Sequence, residues 1–243
     1  MIVGMEEIRL NKYLSDVGYY SRRQADKLIE DGRVSVDGIK AELGQKISAS
    51  SRVAVDGKPV HSDKKPVLLA VYKPVGVVTT TAKNEPANIV TFVGYPERIY
   101  PIGRLDKDSE GLILMTNQGE LADKIAHARG LHEKEYIVTV DKAVTKEFTE
   151  KLSAGVRIAD KVMTRRCTAV KISRNRFRII LTQGLNRQIR RMCEALGYKV
   201  TELKRIRVMN ITLRDLEPGQ YRIIEGEEYE TLLDTLGINR QAE

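Results

Sequence analysis

The chain of 243 residues is poor in cysteine, histidine and aromatic side chains, and each shortage argues against a class of function. Its two cysteines, Cys167 and Cys193, are too few for a disulfide framework or for four thiolates around zinc. Three histidines leave little material for a dedicated histidine metal site. Tryptophan is absent and aromatics make up 5% of the chain, which argues against a sugar-binding aromatic surface.

Long apolar runs are also missing. No stretch of 18 or more apolar residues occurs, so the sequence predicts no membrane span. Glu6 and Glu7 stand where a secretory signal would be basic and then apolar, so we expect a cytoplasmic protein. The hydrophobic share of 42% is close to that of ordinary globular proteins, and the length suits one large domain or two unequal ones.

The excess of positive charge, formally +8, is concentrated in one segment. Residues 155–210 hold 15 basic and 3 acidic side chains, and eleven of these cations are arginines. The flanking segments 1–65, 66–154 and 211–243 have net charges of +2, −1 and −5. Because arginine forks onto phosphates and stacks on bases, this cluster favours a nucleic-acid-binding surface over an ordinary solvated face.

The first 60 residues predict a compact unit of helices followed by strands. We expect a short helix, a second helix capped by Ser21 and ended by Gly32, and two short strands that are each followed by an Asp-Gly turn. The predicted helices lie at 9–14 and 22–31, and the predicted strands at 33–36 and 53–55.

This unit resembles the S4 RNA-binding module in three stretches, at 9–14, 21–26 and 32–38. The resemblance implies that an S4 domain spans 6–60, that a linker follows at 61–66, and that four cations contact RNA. These cations are Arg9, Lys12, Arg22 and Arg23. Arg22 and Arg23 fall in the first turn of the predicted second helix, where a cation opposes the helix dipole, and such a position suggests a phosphate-bearing partner.

From 67 to 238 strand-like runs alternate with scattered helices. This pattern predicts an α+β domain on a mixed, mostly antiparallel sheet that is flanked by helices. The predicted strands are 67–72, 112–116, 135–140, 167–172, 176–182 and 205–212, with an extended segment at 77–81. The predicted helices are 119–128, 145–152, 185–196 and 227–236.

Three polar segments between apolar runs are candidates for chemistry. They are the loop Gly103–Leu112, the charged strand start Glu133–Tyr136 and the arginine-rich segment Gln183–Met192. Loops between buried strands bring functional groups to the end of a sheet. Each segment alone is a weak signal, but their order behind an S4-like unit is more specific.

Together with the Lys73–Gly76 motif, these segments closely resemble the RsuA/RluF family of bacterial rRNA pseudouridine synthases, from about Arg9 to Leu236. The stretches 132–136 and 207–210 look most like the subgroup that modifies large-subunit rRNA. The resemblance implies isomerisation of a uridine in 23S rRNA, offered as a stem-loop or a ribosome assembly intermediate. It implies no cofactor and no metal, because no atom enters or leaves.

The resemblance also implies roles for individual residues. Asp106 is the nucleophilic or charge-stabilising carboxylate, Arg190 pairs with it, and Tyr136 lies against the extruded base. RNA-holding residues surround them, namely Arg104, Leu105, Lys107, Asn186, Arg187, Gln188 and Ile189. Lys73 and Pro74 are expected to shape the floor of the site.

Two alternatives stay open on the sequence. The same chemistry can act on a tRNA or on 16S rRNA, because site choice depends on RNA shape and loop structure. The chain can also be a non-catalytic, ribosome-associated RNA-binding protein of the S4 type, although the intact set of Asp106, Tyr136 and Arg190 argues against this.

Overall fold

A computed structural model describes residues 7–48, 50–61, 65–82, 84–126 and 131–238. They form two compact units. One contains the described residues up to Pro66 together with Asn117–Gly119, and the larger one contains the remainder. The domain limits at 6–60 and 67–238 stay predictions. Residues 62–64 of the predicted linker and the last two residues of the predicted helix 119–128 lie outside the described residues.

The smaller unit packs two helices and six short strands around one apolar cluster. Its elements are β1 (Ile8–Arg9), α1 (Leu10–Asp16), α2 (Arg22–Glu30), β2 (Val34–Val36), β3 (Ile39–Lys40), β4 (Lys46–Ile47), β5 (Val53–Val55) and β6 (Lys58–Pro59). The cap predicted for α2 is confirmed, since Ser21 Oγ accepts from the Gln24 amide at 3.2 Å and Gln24 Oε1 accepts from the Ser21 amide at 2.8 Å.

The remaining elements build one large sheet with helices on both faces and a separate two-stranded sheet, which pairs the eleventh and twelfth strands of the chain. In chain order they are β7 (Leu68–Lys73), α3 (Ile89–Val93), β8 (Tyr100–Ile102), β9 (Glu110–Thr116), α4 (Gly119–Ala126), β10 (Lys134–Val140), α5 (Lys146–Ala154), β11 (Arg157–Ala159), β12 (Val162–Met163), β13 (Thr168–Lys171), β14 (Arg176–Leu181), α6 (Gln188–Ala195), β15 (Val200–Val208), β16 (Ile211–Thr212), β17 (Tyr221–Ile223) and α7 (Gly226–Thr235). No helix in the described part of the chain is long and apolar enough to cross a membrane.

The large sheet has nine strands in the order β13-β14-β10-β15-β9-β7-β17, with β16 paired to β15 and β8 paired to β9. All these pairs are antiparallel except β15 with β9. The predicted α+β class with a mixed, mostly antiparallel sheet is therefore confirmed. The continuous apolar run of β7 has a simple cause: Leu69 and Val71 enter one apolar cluster, while Leu68, Ala70 and Tyr72 enter another on the opposite face.

Two predicted elements are wrong in detail. The segment 77–81, predicted only as extended, belongs to no sheet and forms one isolated bridge, between Val78 and Asn88. The predicted strand 205–212 is two strands, because Met209 turns the chain with a φ of 53°. The predicted helix 185–196 begins only at Gln188, so the three residues before it lie in a loop. The helix α3 and the edge strand β17 were not predicted.

Candidate active site

A cavity of about 430 Å³ opens in the larger unit where β10 begins and β14 ends. Its walls come from the loop after β8, from β10 and β15, and from the loop that leads into α6. The structure brings most predicted site residues of this unit to these walls. They are Arg104, Leu105, Asp106, Tyr136, Asn186, Arg187, Gln188 and Ile189. Lys107 and Arg190 are not among the lining residues.

The loop that carries Asp106 is braced from behind by the segment after β7. The Thr79 hydroxyl donates to the Leu105 carbonyl at 2.8 Å and accepts from the Leu105 amide at 3.3 Å. The Gly76 amide donates to the Lys107 carbonyl at 2.8 Å. These bonds hold the backbone on both sides of Asp106 beside the cavity wall.

Lys73 supports this brace from inside the protein. Its side chain is fully buried, and its ammonium donates to the carbonyls of Pro74 and Val77, both at 2.8 Å. Burial lowers the pKa of Lys73 to about 8, although the charges of Asp106 and its neighbouring carboxylates partly oppose that shift. Lys73 therefore holds the segment after β7 that braces the Asp106 loop, and its role in shaping the floor of the site stays a prediction.

Arg187 is the cation that pairs with Asp106. Its Nη1 lies 3.5 Å from Asp106 Oδ2 and 3.2 Å from Asp108 Oδ1. Burial alone would raise the pKa of Asp108, but the hydrogen bond from Arg187 and the charge of Arg190 lower it overall. The Arg187 backbone is left-handed, with φ 47° and ψ 36°, a conformation that costs free energy in a residue with a side chain.

Arg190 contacts Asp108 and Ser109, the residues that follow Asp106, and does not make the pair with Asp106 that the family resemblance implied. Its side chain is 8% exposed, and Nη2 donates to the Asp108 carbonyl at 2.9 Å and to the Ser109 hydroxyl at 3.2 Å. Nη2 also lies 3.4 Å from Asp108 Oδ2, and Nη1 donates to the Val200 carbonyl at 3.3 Å. Since α6 begins at Gln188, Arg190 lies in its first turn and meets the backbone beyond Asp106 instead of its carboxylate.

Tyr136 lies on the cavity wall, and its contact with an extruded base stays a prediction. It is 9% exposed and belongs to β10, opposite Ile179 on one neighbouring strand and Arg205 on the other. Tyr136 packs in the same apolar cluster as Leu69 and Val71, and part of the residue also lines the cavity.

Two cations of the cavity wall were missed as site residues. Arg205 is 3% exposed, and its Nε donates to the Leu112 carbonyl at 2.6 Å. Lys134 lies beside it, and burial together with the charge of Arg205 lowers the Lys134 pKa. Lys134 occurs in one of the motifs, whereas Arg205 lies in a charged stretch beside Lys204 and Arg207 and belongs to none of them. Its strand lies so close to β9 that a Cβ on Gly111 would clash with the Arg205 carbonyl oxygen.

The four predicted RNA contacts of the smaller unit lie on its first strand and two helices. Arg22 and Arg23 are exposed in the first turn of α2, and Arg9 is exposed on β1. Lys12 is half-buried on α1. Their contact with RNA stays a prediction.

The thiols lie outside the cavity wall. Cys193 is buried in α6 and Cys167 is half-buried just before β13. Burial raises the pKa of Cys193 to about 12 and that of Cys167 to about 11. Among the described residues, no three His, Cys, Asp or Glu side chains gather in a way that could hold a metal ion.

Comparison with known proteins agrees with this geometry. The sequence model for RNA pseudouridylate synthases matches residues 67–195, and the model for S4 domains matches residues 8–53. The chain is 50% identical over 223 residues to the dual-specificity RNA pseudouridine synthase RluF of Salmonella typhi, across 90% of this chain and 76% of that protein. It is 36% identical over 232 residues to the ribosomal large subunit pseudouridine synthase B of Bacillus subtilis, across 92% and 95% of the two chains.

A solved structure supports the same conclusion at the level of the fold. A crystal structure of a pseudouridylate synthase superposes with a TM-score of 0.68 at 26% identity, over 93% of this chain and 99% of that one. The chain therefore belongs to the family of RNA pseudouridylate synthases, enzymes that isomerise uridine in RNA, and it carries an S4 domain ahead of the catalytic domain.

Proposed function

We propose that this enzyme converts a specific uridine of 23S rRNA to pseudouridine, with Asp106 as the carboxylate that acts on the sugar. The observation that carries the proposal is the position of Asp106 on the wall of a 430 Å³ cavity, beside Tyr136 and paired with Arg187. This volume lies within the ~300–1,000 Å³ typical of small-ligand sites, so one extruded nucleoside fits. A target base inside a helix is out of reach and has to be flipped into the cavity.

The reaction leaves the atomic composition of the uridine unchanged. The bond from N1 to C1′ of the ribose breaks, the uracil rotates, and a bond from C5 to C1′ forms. The hydrogen on C5 is lost as a proton, and N1 gains one. Asp106 acts at C1′, as a nucleophile or by stabilising the positive charge that develops there. We expect no cofactor or metal, because the exchange is balanced within the substrate.

In this proposal Arg187 takes the role that the family resemblance implied for Arg190. A guanidinium 3.5 Å from Asp106 Oδ2 orients that carboxylate. Arg190 then acts as a positioning residue, since it holds the backbone of Asp108 and the hydroxyl of Ser109 just beyond the catalytic position.

Tyr136, Lys134 and Arg205 form the part of the wall that faces the base. We assign Tyr136 to packing against the uracil and to proton transfer at its ring. When the bond to C1′ breaks, negative charge develops on the uracil. Two cations in a wall of low dielectric stabilise such charge more than they would in water.

The RNA around the extruded nucleotide needs its own contacts. Arg104, Lys107 and Asn186 are exposed beside the catalytic loop and are suited to phosphate and ribose oxygens. Leu105, Gln188 and Ile189 are buried under these contacts and shape the wall. The S4 unit adds Arg9, Lys12, Arg22 and Arg23.

The choice of RNA is tested by mapping pseudouridines in total RNA from a strain that lacks this gene. We expect one site to disappear from 23S rRNA and to return with the wild-type gene. Loss of a site only in tRNA or in 16S rRNA would refute the proposed substrate but keep the chemistry. An unchanged map, with RNA binding intact, would favour a protein that only binds RNA. The name of the RluF relatives, dual-specificity, makes loss in two RNAs a distinct outcome to score.

A further inference from the structure

A second group of cations lies outside the cavity, between the end of α5 and the middle of β14. Residues 155–178, here called the basic edge, contain one acidic side chain, Asp160. Their eight cations are all exposed, and six of them are arginines. They are Arg157, Lys161, Arg165, Arg166, Lys171, Arg174, Arg176 and Arg178. None of them lines the cavity.

The basic edge has almost no internal neutralisation. Among the eight cations of the basic edge, all of them in the described part of the chain, only Arg178 has a carboxylate within 4 Å. That partner is Glu135, at 3.5 Å. The preceding helix differs, because the α5 lysines Lys146 and Lys151 pair with Glu150 and Glu147. Neighbouring like charges repel and destabilise the folded state, so a surface of this kind is best explained by an anion that binds to it.

The basic edge begins at the rim of the cavity. The Arg165 amide donates at 3.0 Å to the side-chain oxygen of Gln183, a residue of the cavity wall. The Gln188 side chain also reaches Gln183, at 3.4 Å, and accepts from the Leu185 amide at 3.0 Å. Arg165 and Arg166 are thereby held next to the loop that leads into α6.

From that rim the basic edge runs outward along β13, the last strand of the sheet. A tight turn closes it, where the amides of Ile172 and Ser173 both donate to the Arg176 carbonyl. At about 3.3 Å per residue, the stretch from Arg166 to Lys171, the last residue of β13, spans about 16 Å. Cations at the rim, at the end of β13 and at the turn therefore follow a path long enough for several nucleotides.

We propose that the basic edge binds the phosphate backbone of the substrate RNA outside the cavity, along the segment that flanks the target uridine. The inference rests on the proposed function, since it assumes that the cavity receives a nucleotide of the same RNA. Arginine dominates the edge and matches phosphate geometry. Arg187 is a weaker candidate for this electrostatic contact, because Asp106 and Asp108 already occupy its guanidinium.

The test is the salt dependence of RNA binding, measured on the full chain with a 23S rRNA fragment that includes the target and its flanks. Two double variants remove two cations each: Arg165→Ala with Arg166→Ala at the rim, and Arg174→Ala with Arg176→Ala at the turn. The matched control is Lys146→Ala with Lys151→Ala, which changes the net charge equally but removes lysines that are already paired.

We expect each edge variant to lower the slope of log Kd against log salt by about one to two phosphate contacts, and the control to leave it unchanged. Unchanged slopes for both edge variants would overturn the inference, as would an equal drop in the control. Normal binding to naked RNA combined with weaker binding to protein-containing ribosomal particles would also overturn it, in favour of a protein partner.

The same preparations separate this inference from the proposed function. If the wild-type enzyme forms pseudouridine and both edge variants keep the wild-type salt slope, only the inference about the basic edge is refuted. If the wild-type enzyme forms no pseudouridine on any RNA, the proposed function is refuted. Lower salt slopes for the edge variants would still support RNA binding at the basic edge.

Discussion

Replacing Arg187 with glycine separates the stability of the site from its chemistry. The left-handed backbone at Arg187 costs about 1–2 kcal/mol in a residue with a Cβ, and glycine removes that cost. Glycine loses about 0.5–1 kcal/mol through greater freedom in the unfolded chain. The lost ion pairs with Asp106 and Asp108 contribute about 0.2–1 kcal/mol, since all three side chains are one-third to one-half exposed.

These magnitudes nearly cancel for Arg187→Gly. We expect its free energy of unfolding to lie within about 1 kcal/mol of the wild type. Arg187→Ala keeps the backbone cost and loses the ion pairs, so it should be no more stable than the glycine variant. Urea denaturation followed by far-UV circular dichroism measures both, and equal slopes with denaturant concentration allow the midpoints to be compared.

Activity should fall in both variants alike. Asp106 loses its paired cation whichever residue replaces Arg187, so we expect kcat to drop by at least about tenfold, which corresponds to about 1.4 kcal/mol. A glycine variant more than about 1 kcal/mol less stable than the alanine variant would refute the backbone argument. Full activity in either variant would refute the assignment of Arg187 to Asp106.

Three further perturbations follow from buried groups. In Arg190→Lys the single ammonium cannot span the contacts to Asp108 and Ser109. Urea denaturation should therefore show a free energy of unfolding lower by about 2–4 kcal/mol, and a decrease below about 0.5 kcal/mol would contradict the positioning role of Arg190. The pKa of Lys73 is lowered from its ordinary value of 10.5 to about 8 in the folded protein. Between these two pH values the Lys73 amine is protonated in the unfolded chain and neutral in the folded one. The free energy of unfolding should therefore rise with pH across that window in the wild type relative to Lys73→Met, and parallel profiles would contradict the burial of its charge. The raised pKa values of Cys167 and Cys193 predict negligible reaction with a thiol reagent at pH 8 in the native protein and complete reaction in denaturant, so rapid native labelling would count against their burial.

Local patterns were sufficient where a local cause determines the structure. Ser21 caps α2 because its hydroxyl and the Gln24 side chain satisfy amides three residues apart, and that spacing is visible in the sequence. The apolar run of β7 likewise predicts a strand buried on both faces. The motifs also predicted that Asp106 and Tyr136 share one site, and both line the cavity.

The remaining features depend on contacts between distant residues. Arg187 and Arg190 are separated by three positions, and no local rule decides which one reaches a carboxylate 81 residues earlier. The choice depends on where α6 begins, and the left-handed backbone at Arg187 sets that point. Met209 is similar, since methionine gives no signal for the turn that divides the predicted strand. The sequence around Arg205 predicts only a strand residue, because the pairing of its strand with β9 involves residues that are distant in the sequence.

The most direct test of the account is tritium release from RNA that carries [5-³H]uridine, because the C5 hydrogen leaves only when C5 bonds to the ribose. Purified wild-type enzyme is compared with Asp106→Ala and with Asp106→Asn, which keeps the shape of the side chain without its charge. We predict release by the wild type, no release by either variant, and retained RNA binding by both. Normal release by Asp106→Ala would contradict the central claim that this carboxylate carries the reaction.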